Sequence, residues 1–80
     1  MTRAEIAKQR LDEAIRVREA WQIQVGKRRR AWRAAPRAEV EQRILELLRA
    51  MEQLGAAKQA ERQAWHDWME VENGRTGLAL

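Results

Sequence analysis

The chain has 80 residues, 45% hydrophobic and 35% charged, with 16 Lys or Arg against 12 Asp or Glu and a net charge of +4. That length allows one small domain. The lack of Cys excludes disulfides, so stability beyond roughly 3 to 5 kcal/mol calls for a metal or a partner subunit.

Thr2 and Thr76 are the only hydroxyl side chains, and His66 is the only imidazole. Nucleophile-and-base catalysis is thereby nearly excluded, and the chain reads as non-enzymatic, with no cofactor. Arg3, Glu5, Lys8 and Arg10 interrupt the first ten residues, so no signal peptide is expected there. No apolar run approaches the roughly 18 residues needed to cross a bilayer. The expectation is a soluble protein of the host-cell cytoplasm without a membrane partner.

The opening Thr2-Arg3-Ala4-Glu5 has the form of a capping box, which predicts a helix starting at residue 3. From there Ala4, Ala7, Leu11, Ala14, Arg18, Trp21, Val25, Arg28 and Trp32 alternate by three and four residues, the seam of a packed helix. Pro36, the only proline, pushes Ala35 to extended geometry and suits the first position of a new helix. Val40, Ile44, Leu47, Met51, Leu54, Lys58, Glu61, Trp65 and Trp68 then repeat the alternation, and Asn73-Gly74 is a stop signal.

The two seams mirror each other about Pro36. An antiparallel fold there sets Ala4 against Trp68, Ala7 against Trp65, Arg18 against Leu54 and Arg28 against Ile44. Small residues facing large ones is what close packing asks of opposed positions. The expected fold is therefore all-α, an antiparallel, coiled-coil-like helical hairpin. It is one domain over residues 1–74, with helices over about 3–34 and 36–72 and a short tail at 75–80 that ends in Gly77-Leu78-Ala79-Leu80.

Gly26 and Gly55 speak against unbroken helices, since Gly costs about 1 kcal/mol relative to Ala in a helix interior. One alternative is a three-helix arrangement broken at Gly55. Another is a helix-hairpin-helix turning at Gly26-Lys27, prompted by the period-two spacing of Trp21, Ile23 and Val25. For the latter, Thr2-Arg3, residues 26–29, residues 44–47 and Leu78-Ala79-Leu80 lie along a pattern similar to small head-completion proteins of lambda-type phages. Nothing after Gly55 has a counterpart there.

Ile6, Ile15, Val17, Leu45 and Leu48 lie beside the seams, so the apolar stripe is wider than a two-helix contact needs. Leu45 and Leu48 are the candidate partner-binding pair, in a homodimer or against another protein. Lys27, Arg28, Arg29, Arg30, Arg33 and Arg37 crowd six positive charges into eleven residues, and no acidic residue occurs over 22–38. Residues 1–40 carry net +6 and residues 41–80 net −2, so the charge gathers near the hairpin tip. Arg28, Arg29, Arg30 and Arg33 are expected to meet an acidic protein surface. For nucleic acid the set is Lys27, Arg28, Arg29, Arg30, Trp32, Arg33 and Arg37, with Trp32 placed to stack on a base. Residues 27–33 resemble the Arg-rich RNA-hairpin-binding peptides of phage antitermination proteins, which implies RNA as a partner class.

Trp65 and Trp68, three apart, share a helical face and read first as core, second as partner anchors. His66 and Glu70 also share a face, but two ligands do not make a metal site, and none is expected. The functional expectation is a small protein-interaction module, of the kind phages and mobile elements encode as inhibitors or adaptors. A nucleic-acid-binding helical dimer is the alternative. A structural subunit of a phage particle, of head-tail joining type, is the second.

Overall fold

A computed structural model describes residues 1–75 and shows two long antiparallel helices, α1 (Arg3–Arg33) and α2 (Val40–Arg75), joined by a short connection. The hairpin is extended, with principal dimensions of 62 × 21 × 13 Å. The apolar tail at 77–80 lies outside the described residues.

Local chemistry sets the ends. The Thr2 hydroxyl accepts the Glu5 backbone N–H at 3.1 Å, the hydroxyl half of the expected capping box. At the other end of α1 the Ala34 N–H donates to the Arg30 carbonyl and the Ala35 N–H to that of Trp32, closing the last turn. Arg30 and Arg33 lie in that turn, where cations complement the helix dipole.

Pro36 does not open the second helix, as the sequence suggested. Its φ of −61° suits a helix, but its ψ of 153° is extended, so it caps a 3-10 turn (Arg37–Glu39) instead. The Glu39 N–H donates to the Pro36 carbonyl at 2.8 Å, and regular α-helix begins only at Val40. Asn73-Gly74 does not stop α2 either, because the helix runs on to Arg75.

Both helices pass through their glycines without a break, so neither the three-helix nor the helix-hairpin-helix arrangement forms. Continuity is favoured because each helix loses its cost at Gly only once, whereas packing along the whole seam rewards an unbroken partner.

The seam of α1 runs where the sequence placed it, with Ala7, Leu11 and Val25 buried and Trp32 more than a third exposed at its end. The seam of α2 is half right. Leu47, Leu54, Glu61 and Trp68 face α1, but between them the inward positions are Ala50, Ala57, Ala64 and Val71, not Met51, Lys58 and Trp65. Small residues every seven positions let two backbones approach closely, which seals Leu11 to 2% exposure. One cluster joins Val25, Leu47 and Ala50, with Trp21 and Leu54 packed against it.

Candidate functional site

The end of the hairpin at Pro36 gathers the basic segment. Arg28 reaches across to Glu46 at 3.7 Å, while Arg43 binds Glu46 at 3.1 Å and Glu39 at 3.3 Å. Arg28 and Arg43 thus answer Glu39 and Glu46, while Glu41, exposed between them, makes no ion pair among the described residues. The Arg43 and Gln42 hydrogen bonds hold the Glu46 carboxyl below its ordinary pKa, so it stays charged and keeps these partners.

Lys27, Arg29, Arg30, Arg33 and Arg37 make no ion pair among the described residues, and all five are exposed. Helical spacing spreads the first four around the outer arc of α1 instead of along one line. Trp32, at the end of the inward seam, borders this arc with 36% of its surface exposed. Seven residues of sequence therefore supply a convex, cationic knob with an aromatic edge.

A second surface runs along α2. Leu45 and Leu48 are 51% and 54% exposed, as the sequence anticipated for residues beside the seam. Ile6 and Val17 are exposed too, while Ile15 is half-buried. The sequence reading missed Met51, spent on the seam, and Met69, overlooked, while exposed Trp65 fits the second of its two readings, a partner anchor, better than the first, core. These residues lie on a second three-four stripe, Ile44, Leu48, Met51, Gly55, Lys58, Arg62, Trp65 and Met69, parallel to the seam and one residue beyond it. A shallow groove between this stripe and α1 is lined by Leu11, Ile15, Lys58, Arg62 and Trp65.

Trp65 and Trp68 part company across that boundary. Trp68 is half-buried, with the Lys8 ammonium 5.7 Å from its ring centre. Trp65 leans on it at 5.3 Å between centroids and remains 50% exposed.

Comparison with protein-family models, with curated proteins and with solved structures gave no match. The site must therefore be judged on its own chemistry. No three metal-ligating side chains come together among the described residues, and His66 lies exposed beside Asp67, which accepts from Gln63. Among the described residues no helix is long and apolar enough to cross a membrane.

Proposed function

We propose that the chain is a non-enzymatic protein-interaction module that binds a larger protein or nucleoprotein complex through its basic tip and its apolar flank. The observation that carries this reading is the tip itself. Five unpaired cations on a convex end cannot enclose a small substrate, but they fit an extended acidic surface. Leu45 and Leu48 add apolar contact on the adjoining helix, and Arg dominates the tip, as it does at the energetic centres of interfaces. An inhibitor or adaptor works in this way, by occupying a surface.

The decisive experiment compares the parent chain with Arg29→Glu/Arg30→Glu/Arg33→Glu and with Leu45→Glu/Leu48→Glu in affinity capture from the native host. The expected result is one partner retained by the parent and lost by both variants. A partner held equally by all three would remove the reading.

Trp32 favours a second reading, a nucleic-acid-binding tip, because a partly exposed ring among unpaired Arg residues suits a splayed base. Titration of labelled duplex DNA, single strands and RNA hairpins at low salt separates the two. A structural role in a phage particle has no observation of its own in its favour.

A further inference from the structure

Gly55 is not explained by the hairpin. It lies mid-way along α2, exposed, and a Cβ built on it would meet nothing within 4 Å. Packing against α1 does not require glycine there, and a helix interior disfavours it. Gly55 does, however, fall near the centre of the outer stripe, with Leu48 and Met51 on one side and, beyond Lys58 and Arg62, Trp65 and Met69 on the other. A bare backbone between two groups of exposed apolar side chains is what a second helix needs for close approach.

We propose that a second copy of the chain covers this face, the two α2 helices packing antiparallel and crossing between Gly55 and Lys58 to form a four-helix bundle. Reversal of the stripe about its centre sets Leu48 against the partner's Trp65 and Ile44 against the partner's Met69. The Lys58 stem then passes over the partner's Gly55, where no side chain obstructs it.

Charge supports the same arrangement on α1. The edge that adjoins this face begins with Glu5, carries the Lys8–Asp12 ion pair, passes Glu19 at mid-helix and ends at Arg29 and Arg33. Antiparallel pairing brings Glu5 of one α1 to the basic end of the other, whereas parallel pairing sets Arg29 and Arg33 against their own copies.

This inference deepens the apolar half of the proposed function and rests on reading the face around Leu48 as a contact surface. It makes no use of Lys27 and Arg30, which lie off this face on the outer side of α1.

The test is the molar mass of the full chain by sedimentation equilibrium from micromolar to millimolar concentration. The expected limit is twice the 9.4 kDa chain mass. Gly55→Leu, which has open space in the single hairpin, should keep or raise helicity while weakening dimerisation roughly ten- to a hundred-fold. Because the chain has no Cys, introduced thiols report register. Leu48→Cys mixed with Trp65→Cys should cross-link readily, and each alone should not. Lys27→Glu/Arg30→Glu should lose the tip's partner and keep the dimer, so failure of one idea is visible apart from the other. A chain that stays at 9.4 kDa throughout, or a Gly55→Leu variant that dimerises as well as the parent, overturns the proposal.

Discussion

Arg18 holds both carboxylate oxygens of Glu61 across the hairpin, with Nε donating to Oε2 at 2.9 Å and Nη2 to Oε1 at 3.1 Å. The two residues are not level on the seam. Helical side chains lean toward the start of their own helix, and in an antiparallel pair Arg18 and Glu61 lean toward each other. A third donor of the same guanidinium, Nη1, binds Gln22 at 2.8 Å and fixes its orientation. The pair ties the middle of α1 to the middle of α2 and helps set the register of everything on either side.

The hydrogen bonds from Arg18 hold the Glu61 carboxyl below its ordinary pKa, with the charge of Arg18 adding to the effect. A carboxylate depressed in the folded state contributes stability that is present above its unfolded pKa and lost as pH falls through its folded one. Melting temperature should therefore drop as pH passes down through the ordinary carboxylate range and below it. In Glu61→Gln the drop should be shallower, and a profile parallel to that of the parent chain would contradict the assignment. Glu46, held low by Arg43 and Gln42, contributes in the same direction.

Leu11 is the most deeply buried large side chain, at 2% exposure. Leu11→Ala should cost about 2 to 5 kcal/mol in denaturant unfolding. Ile23, equally apolar but exposed on the far side of α1, should change stability by no more than about 0.5 kcal/mol when made Ala. Equal losses at the two positions would mean that α1 is rotated from the orientation described.

Gly26 sits inside α1 in helical conformation, and a Cβ there would meet only the end of the flexible Arg30 side chain at 3.6 Å. Gly26→Ala should therefore stabilise the hairpin by about 0.5 to 1 kcal/mol. A rise of a few degrees in the thermal midpoint, roughly 4 to 8 °C per kcal/mol for a domain of this size, is the expected readout.

The tip should tolerate charge reversal in stability terms and not in binding. Arg29, Arg30 and Arg33 have no ion pair to lose, so their Glu variants should stay folded, apart from a few tenths of a kcal/mol for removing cations from the end of a helix. Arg28→Glu differs, because it sets a carboxylate toward Glu46 and removes one of the cations around it. If the five unpaired cations engage duplex phosphates, the logarithm of the binding constant should fall against the logarithm of salt with a slope of roughly −4 to −5. A slope near zero would assign the tip to protein contact.

The hairpin and the exposure of Leu45 and Leu48 were readable from spacing, because a three-four alternation is geometry before it is chemistry, and the start of α1 was readable from its Thr2 cap. The inward face of α2 was read wrongly at Met51, Lys58 and Trp65 for a specific reason. Apolar bulk made Met51 and Trp65 more attractive core candidates than Ala50 and Ala64, and side-chain size carries no information about how close two backbones approach. The Leu-x-x-Ala repeats at 47–50 and 54–57 held the signal. The separation of Trp65 from Trp68 followed from the same error. Arg28 could not be told from its neighbours by composition, since only the fold brings Glu46 to it.

The first residues of α1 and the last turn of α2 lie together, where Thr2 and Glu5 share a cleft with Val71 and Gly74, and the molecule is 62 Å long. Anything fused at the start of α1 therefore stands almost a full rod's length from the cationic knob. An affinity tag or fluorophore placed there leaves the knob unobstructed. By the same geometry, a body grasping the terminal end and another grasping the knob would be held apart at a fixed spacing, with the hairpin as the strut between them.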